Sequence, residues 1–116
     1  MSFETGAGSD TGQVNATTIR VDYNNPVNAA TVATNGSDFR VTVTEGGVST
    51  NIPVFGAAVE AGNTDAVLIT TAEPVPATGT ITVTAQTGSD GNTVCAGTAT
   101  TNCQPAGQTV LVPRAA

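Results

Sequence analysis

Residues 17–43, TTIRVDYNNPVNAATVATNGSDFRVTV, decide the fold. At the start of this stretch Ile19, Val21 and Tyr23 alternate with Thr18, Arg20 and Asp22, and at its end Phe39, Val41 and Val43 recur at every second position. Successive side chains of an extended chain point to opposite faces, so each run reads as a strand with one buried face. Between them Asn24, Asn25 and Pro26 stop the first strand, because proline has no amide to donate and asparagine favours turns. Asn28 is placed to cap one short helical turn over 29–33, which Asn35 and Gly36 end. The two strands read as the founding pair of a β-sandwich.

Working outward, the same signals return. Residues 48–59 are less regular, and Pro53 restricts them to an edge strand or a bulge. Residues 65–71 hold the longest apolar run, Ala66 to Ile69, and read as a central strand. The Pro-rich loop 73–79, EPVPATG, is expected to cross from one sheet to the other. In 80–86 Ile81, Val83 and Ala85 face the core, and 108–112 forms a last strand. Residues 1–16 show no sustained period and are rich in Gly, Ser and Thr, so they read as an extended or flexible arm. Such an arm can lie on an open sheet edge. The expected organisation is therefore an arm over 1–16, a sandwich over 17–113 and a tail over 114–116. The expected fold is all-β, about seven antiparallel strands in two sheets.

Composition agrees with that class. A chain of 116 residues makes one domain, which buries roughly two thirds of the surface its unfolded form exposes. With no Trp, one Tyr and three Phe, packing falls to Val, Ile, Ala and threonine methyls, which suit a pleated sheet. Thirteen Gly and six Pro scattered between short apolar runs exclude a helical bundle. The formal charge is −6, with no Lys and only Arg20, Arg40 and Arg114 as cations. Three separated arginines do not make a phosphate-binding surface, which excludes nucleic acid and anionic membrane as partners. No run reaches the ~18 apolar residues of a membrane helix, so no membrane insertion is expected.

The succession TIRVDYNNPVNAATVATNGSDFRVTV, an apolar strand, PVPATGTITVTA and GSDGN resembles the bacterial Ig-like repeats of surface-layer proteins, adhesins and motility-associated cell-surface proteins. The residues that carry the likeness are Tyr23, Pro26 and Val27, then Phe39 and Val41, then the turn Asp90, Gly91 and Asn92. It spans about residues 17–92. Two departures stand out: the usual first strand with its Pro-containing lead-in is missing or degenerate before Thr17, and a Cys-bounded insertion follows Asn92. The first raises the question of what covers the flank of the strand at Thr17, a partner or the chain's own arm. The resemblance implies an Ig-like β-sandwich used as a repeat or building domain.

Catalysis is tested by inventory. The chain has neither His nor Lys, so the commonest general base and the Schiff-base nucleophile are both missing, and no Ser-His-Asp or Cys-His device can be built. Nine acids remain, but none stands in a recognisable motif, and a non-enzyme is expected. Cys95 and Cys103 enclose AGTATTN; without His they make a poor zinc site, and a disulfide stapling a hairpin tip is the better reading. Calcium is the one cofactor candidate. Asp90 and Asn92 offer hard oxygen ligands, joined by Asp22, Asp38 or Asp65 if the loops converge, although Ser-Asp-Gly-Asn is also an ordinary turn. Asn15-Ala16-Thr17 and Asn35-Gly36-Ser37 match the N-glycosylation sequon, which in a bacterial or phage protein is coincidence.

The expected role is a non-catalytic structural or display module of a cell-surface, adhesin or filament assembly, outside the cell, with neighbouring domains or copies of itself as partners. The N-terminus MSFETGAGSD lacks the basic head and apolar segment of a secretory signal. Two readings accommodate that: a domain of a longer secreted protein, or a decoration or tail-associated protein of a phage virion. A carbohydrate-binding module is the weakest alternative, since sugar platforms rely on exposed aromatics.

Overall fold

The computed structural model describes residues 1–115. Eight strands follow in chain order: β1 (Gly12–Asn15), β2 (Thr18–Asp22), β3 (Phe39–Glu45), β4 (Val48–Ile52), β5 (Val54–Glu60), β6 (Asn63–Thr71), β7 (Thr80–Ala85) and β8 (Thr109–Val112). A 3-10 turn, Ala29–Thr31, interrupts the β2–β3 connection, and the Asn28 side chain caps it by accepting from the Ala30 amide. All pairings are antiparallel, in two four-stranded sheets of order β1-β2-β6-β5 and β4-β3-β7-β8. The protein is an all-β sandwich.

The alternation of the opening stretch is realised residue by residue. Ile19, Val21 and Tyr23 from β2 and its end, and Phe39, Val41 and Val43 from β3, are all buried in one core with Val67, Ile69, Ile81 and Val83. Each such side chain contributes about 1.5–3 kcal/mol when fully buried, so this cluster supplies most of the driving force. The two founding strands are not hydrogen-bonded neighbours, however. β2 lies in the first sheet beside β6, β3 in the second beside β7, and they cooperate only through the core.

Two further differences from expectation have plain causes. Pro53 does more than place 48–59 at an edge: it splits the segment into β4 and β5, which belong to opposite sheets, and so raises the strand count. The expected arm is also folded onto its own sheet. Gly12–Asn15 pairs with β2 through Gly12↔Arg20 and Gln13↔Ile19, and Phe3 is only 6% exposed, its ring 5.1 Å from that of Tyr23. The flank of β2 is thus covered by the chain itself. Four residues interrupted by a bulge at Val14 are too short for period two to show. At the other terminus Arg114 is tied down, donating from Nε to the Gly79 carbonyl and from Nη1 to that of Pro76; of the expected tail, Ala116 lies outside the described residues.

Candidate functional site

Polar detail concentrates where the β2–β3 connection (24–38) meets the long β7–β8 connection (86–108). Antiparallel bridges and backbone bonds weld the two loops: Val27 pairs with Ala96, the Asn28 amide donates to the Cys95 carbonyl at 2.8 Å, and the Cys95 amide donates to Thr31 Oγ1 at 2.9 Å. Cys95 and Cys103 are disulfide-bonded and form an antiparallel bridge, so 95–103 is a closed hairpin tip, with Cys95 fully buried. Behind it the buried Gln104 accepts from the Tyr23 hydroxyl at 3.0 Å and donates to Gln108, whose Oε1 also takes the Phe3 amide. Burial holds the Tyr23 hydroxyl well above its usual pKa, with the charge of Asp38 adding to the effect.

Asp38 is the most perturbed acid here. It stands immediately before β3 and is 1% exposed. Its Oδ2 accepts the Ala33 amide at 2.8 Å, whereas Oδ1 is buried without a hydrogen-bond partner. Gly88 lies against Oδ1 so closely that a Cβ there would come within 2.5 Å of it. The Gly88 amide is itself spent on the Asn92 carbonyl. Burial, seconded by the charge of Asp90, raises the Asp38 pKa to about 6 against the opposing pull of the Ala33 and Gly88 amides. Around it Ser37 Oγ accepts the Ser89 amide at 2.8 Å, the Ser37 and Ser89 hydroxyls are 3.1 Å apart, and Gln86 Nε2 donates to the Ser37 carbonyl.

The calcium candidates fall into two groups. Asp90 stands with Asp38 in the loop end, where Asp90 Oδ1 accepts the Asn92 amide at 3.1 Å in the local turn that the Ser-Asp-Gly-Asn sequence suggested. Asp22 stands instead with Glu4, Asp10 and Asp65. Strand alternation put Asp22 on the outward face, yet it is buried, because the 1–11 segment folds over that face. Its two oxygens accept the amides of Asp10 (3.0 Å) and Tyr23 (3.1 Å), and its own amide donates to Thr11. Glu4 beside it is pushed upward in pKa, chiefly by hydrogen bonding with Asp22. Among the described residues no group of three or more His, Cys, Asp or Glu side chains comes together to hold a metal ion. The role of Asp38 as a buried, half-satisfied acid had one sequence signal, its position between an Asn-Gly turn and the first inward residue of β3.

No protein-family model matches the chain, and no curated protein sequence matches it. Among solved structures it is similar to the N-terminal part of the bacterial S-layer protein SbsC, with a TM-score of 0.66 and 16% sequence identity over 97% of this chain. It is likewise similar to a structure of domains 1–6 of surface layer protein SbsC, with a TM-score of 0.65 and 15% identity over 97% of this chain. The chain spans 23% and 13% of those two structures. At such identities the likeness is one of fold: nearly the whole chain matches a part of a much longer surface-layer polypeptide.

Proposed function

We propose that this chain is a non-catalytic, Ig-like structural module of an extracellular surface assembly, meeting neighbouring domains or copies of itself. The observation that carries the reading is the match of 97% of the chain to less than a quarter of an S-layer protein. A whole domain here corresponds to one part of a surface-layer chain. The strand order supports the Ig-like assignment: lettered along the chain with β4 as C′, the sheets read A-B-E-D and C′-C-F-G, the constant-type arrangement with one added strand. The disulfide fits an oxidising exterior. A sequence without His or Lys supports a role without catalysis.

Immunogold labelling of intact source cells with antibody to the folded domain tests the reading, alongside labelling after permeabilisation. Gold on the outer face of intact cells is the expected result. Label that appears only after permeabilisation, or only on released virions, would overturn it.

A further inference from the structure

The two terminal segments run the same way along the sandwich. Residues 1–15 begin at the end where the β2–β3 and β7–β8 connections meet: the Ser2 amide donates to Asn24 Oδ1 at 3.1 Å, the Ser2 carbonyl accepts the Asn24 amide, and Phe3 bridges Tyr23. They reach the opposite end at Asn15, which pairs with Thr18 at the start of β2. β8 likewise leaves the loop end at Thr109, opposite Thr84, and arrives at Val112, opposite Ile81. There Arg114 donates to the carbonyls of Gly79 and Pro76 at 2.9 and 2.7 Å, just ahead of β7. Residues 2 and 115 therefore stand at opposite ends of the fold.

Each segment is fastened near its own end. The Glu4 amide donates to the Asp22 carbonyl at 2.9 Å, the Asp10 amide to Asp22 Oδ2 at 3.0 Å, and the buried Phe3 ring lies against Tyr23. At the other end Gln13 ties the two segments to each other: its amide donates to the Pro113 carbonyl at 2.8 Å, and its Oε1 accepts the Ala115 amide at 3.2 Å. Bonds between antiparallel strands stand perpendicular to the chain direction. Tension between residues 2 and 115 draws each segment along its own length, the first out through the loop end and β8 out through the other. The bonds are then loaded sideways and share the load, so they break together. A pull that lifts a strand from its end loads them one after another.

We propose that the fold bears tension directionally, resisting a pull between its two chain ends more strongly than a pull that peels a strand from one end. Two clamps carry the load: residues 2–4 with Phe3 on the end of β2, and residues 109–115 on β7, the 76–79 loop and Gln13. The clamps sit in opposite sheets, because β2 belongs to one and β7 to the other. Tension between them therefore also shears the core, where Val21 and Ile69 of the first sheet pack with Val41 and Val83 of the second. Sliding residues 1–4 outward drags the Phe3 ring out of that core, so apolar burial adds to the hydrogen bonds on the N-terminal side. The inference deepens the structural-module reading by naming the load such a module carries, and rests on it only for the origin of that load.

Single-molecule pulling on the purified, disulfide-intact Val48→Cys variant tests it. Val48 is 67% exposed and follows the β3–β4 turn, at the end where Gly79 lies against Thr44 and Arg114 binds Gly79. Tension between position 48 and the C-terminus therefore lifts β8 off β7 from Val112 inward, pair by pair. Held by its two termini instead, the same variant should rupture at a force about twofold or more higher at one loading rate. Both pulls act on a protein of one equilibrium stability, so a difference between them reports direction alone. Equal forces, or a lower force between the termini, would overturn the proposal. A low-force extension of about 50 Å ahead of the main rupture, the drawn-out length of residues 1–15, would overturn it too. That second readout needs no substitution, and the unmodified chain supplies it should Val48→Cys not fold. Neither readout depends on where the protein resides, so failure here leaves the surface reading to be decided by the labelling experiment.

Discussion

Lowering the pH from 7.5 to 4 should strengthen the fold through Asp38, and Asp38→Asn should erase that contribution. The native pKa of about 6 stands against an ordinary value of 3.8. A gap of roughly two units is worth about 3 kcal/mol at 1.36 kcal/mol per unit, and relaxation of the covering loop brings the expected figure to about 1–3 kcal/mol. The sign follows from which state holds the proton more tightly. A carboxyl whose pKa is raised by folding contributes stability that is complete below pH 3.8 and is lost as the pH climbs through 6. Glu60 works in the opposite sense: Arg20 lowers its pKa, so its contribution is lost as the pH falls. A bare pH–stability curve mixes the two, and the difference between wild type and Asp38→Asn isolates the first. Asparagine retains an acceptor for the Ala33 amide and removes the charge. Urea unfolding of both proteins at intervals from pH 4 to 8 is the assay. Wild type should lose about 1–3 kcal/mol relative to the variant between pH 4 and 7.5. A difference that changes by less than about 0.5 kcal/mol, or that runs the other way, would refute the account of Asp38 as a buried acid short of one hydrogen bond.

Phe3→Ala should cost about 3 kcal/mol, because a buried ring tilted against that of Tyr23 leaves a cavity; loss of less than about 1 kcal/mol in chemical denaturation would return residues 1–11 to the status of a loose arm. Replacing Cys95 and Cys103 together by Ser should lower stability by about 2.5 kcal/mol, the chain-entropy value for a loop of eight residues' separation, while the far-ultraviolet spectrum keeps its β form. Excess calcium should leave the melting temperature within about 1 °C of its value in chelator; a rise of several degrees would mean that Asp90 and Asn92 gather further oxygen ligands after all.

The strands legible in the sequence are those whose pattern is fixed locally. β2, β3 and β7 each bury every second residue against the core, and period two is visible in the chain itself. β6 announces itself differently: buried inside the first sheet, it reads as an apolar run. β1 leaves no such trace, since its membership depends on a partner strand and a bulge rather than on its own side chains. Pro53 was readable as a disruption, but not as a change of sheet: its two halves form hairpins with the strands on either side, β4 with β3 and β5 with β6, and so part company. The pairing of Cys95 with Cys103 was legible by count, whereas its attachment to Asn28 and Thr31 required two loops to meet across more than sixty residues.

Asp22 and Asp38 bracket the connection that the opening stretch leaves between its strands, and they show where strand logic stops. Alternation describes a side chain whose cover comes from a sheet, but at a strand's end the cover comes from loops, and loops bury whatever they meet. The two acids are buried almost equally, with different outcomes. Each Asp22 oxygen receives an amide, so the residue clamps the N-terminal segment to β2. Asp38 receives one amide and presses its other oxygen on Gly88. The neighbouring hairpin is closed by a disulfide and bonded to Asn28 and Thr31 through groups that carry no titratable proton. Segment 87–92 packs against the Asp38 carboxyl at Gly88 and is bonded to the β2–β3 connection through the serine pair. Charging Asp38 therefore loosens 87–92 and leaves 95–103 in place, a separation that amide exchange at pH 5 and pH 7.5 would resolve: protection should fall with pH at Ser89 and stay constant at Cys95 once the intrinsic exchange rates are divided out.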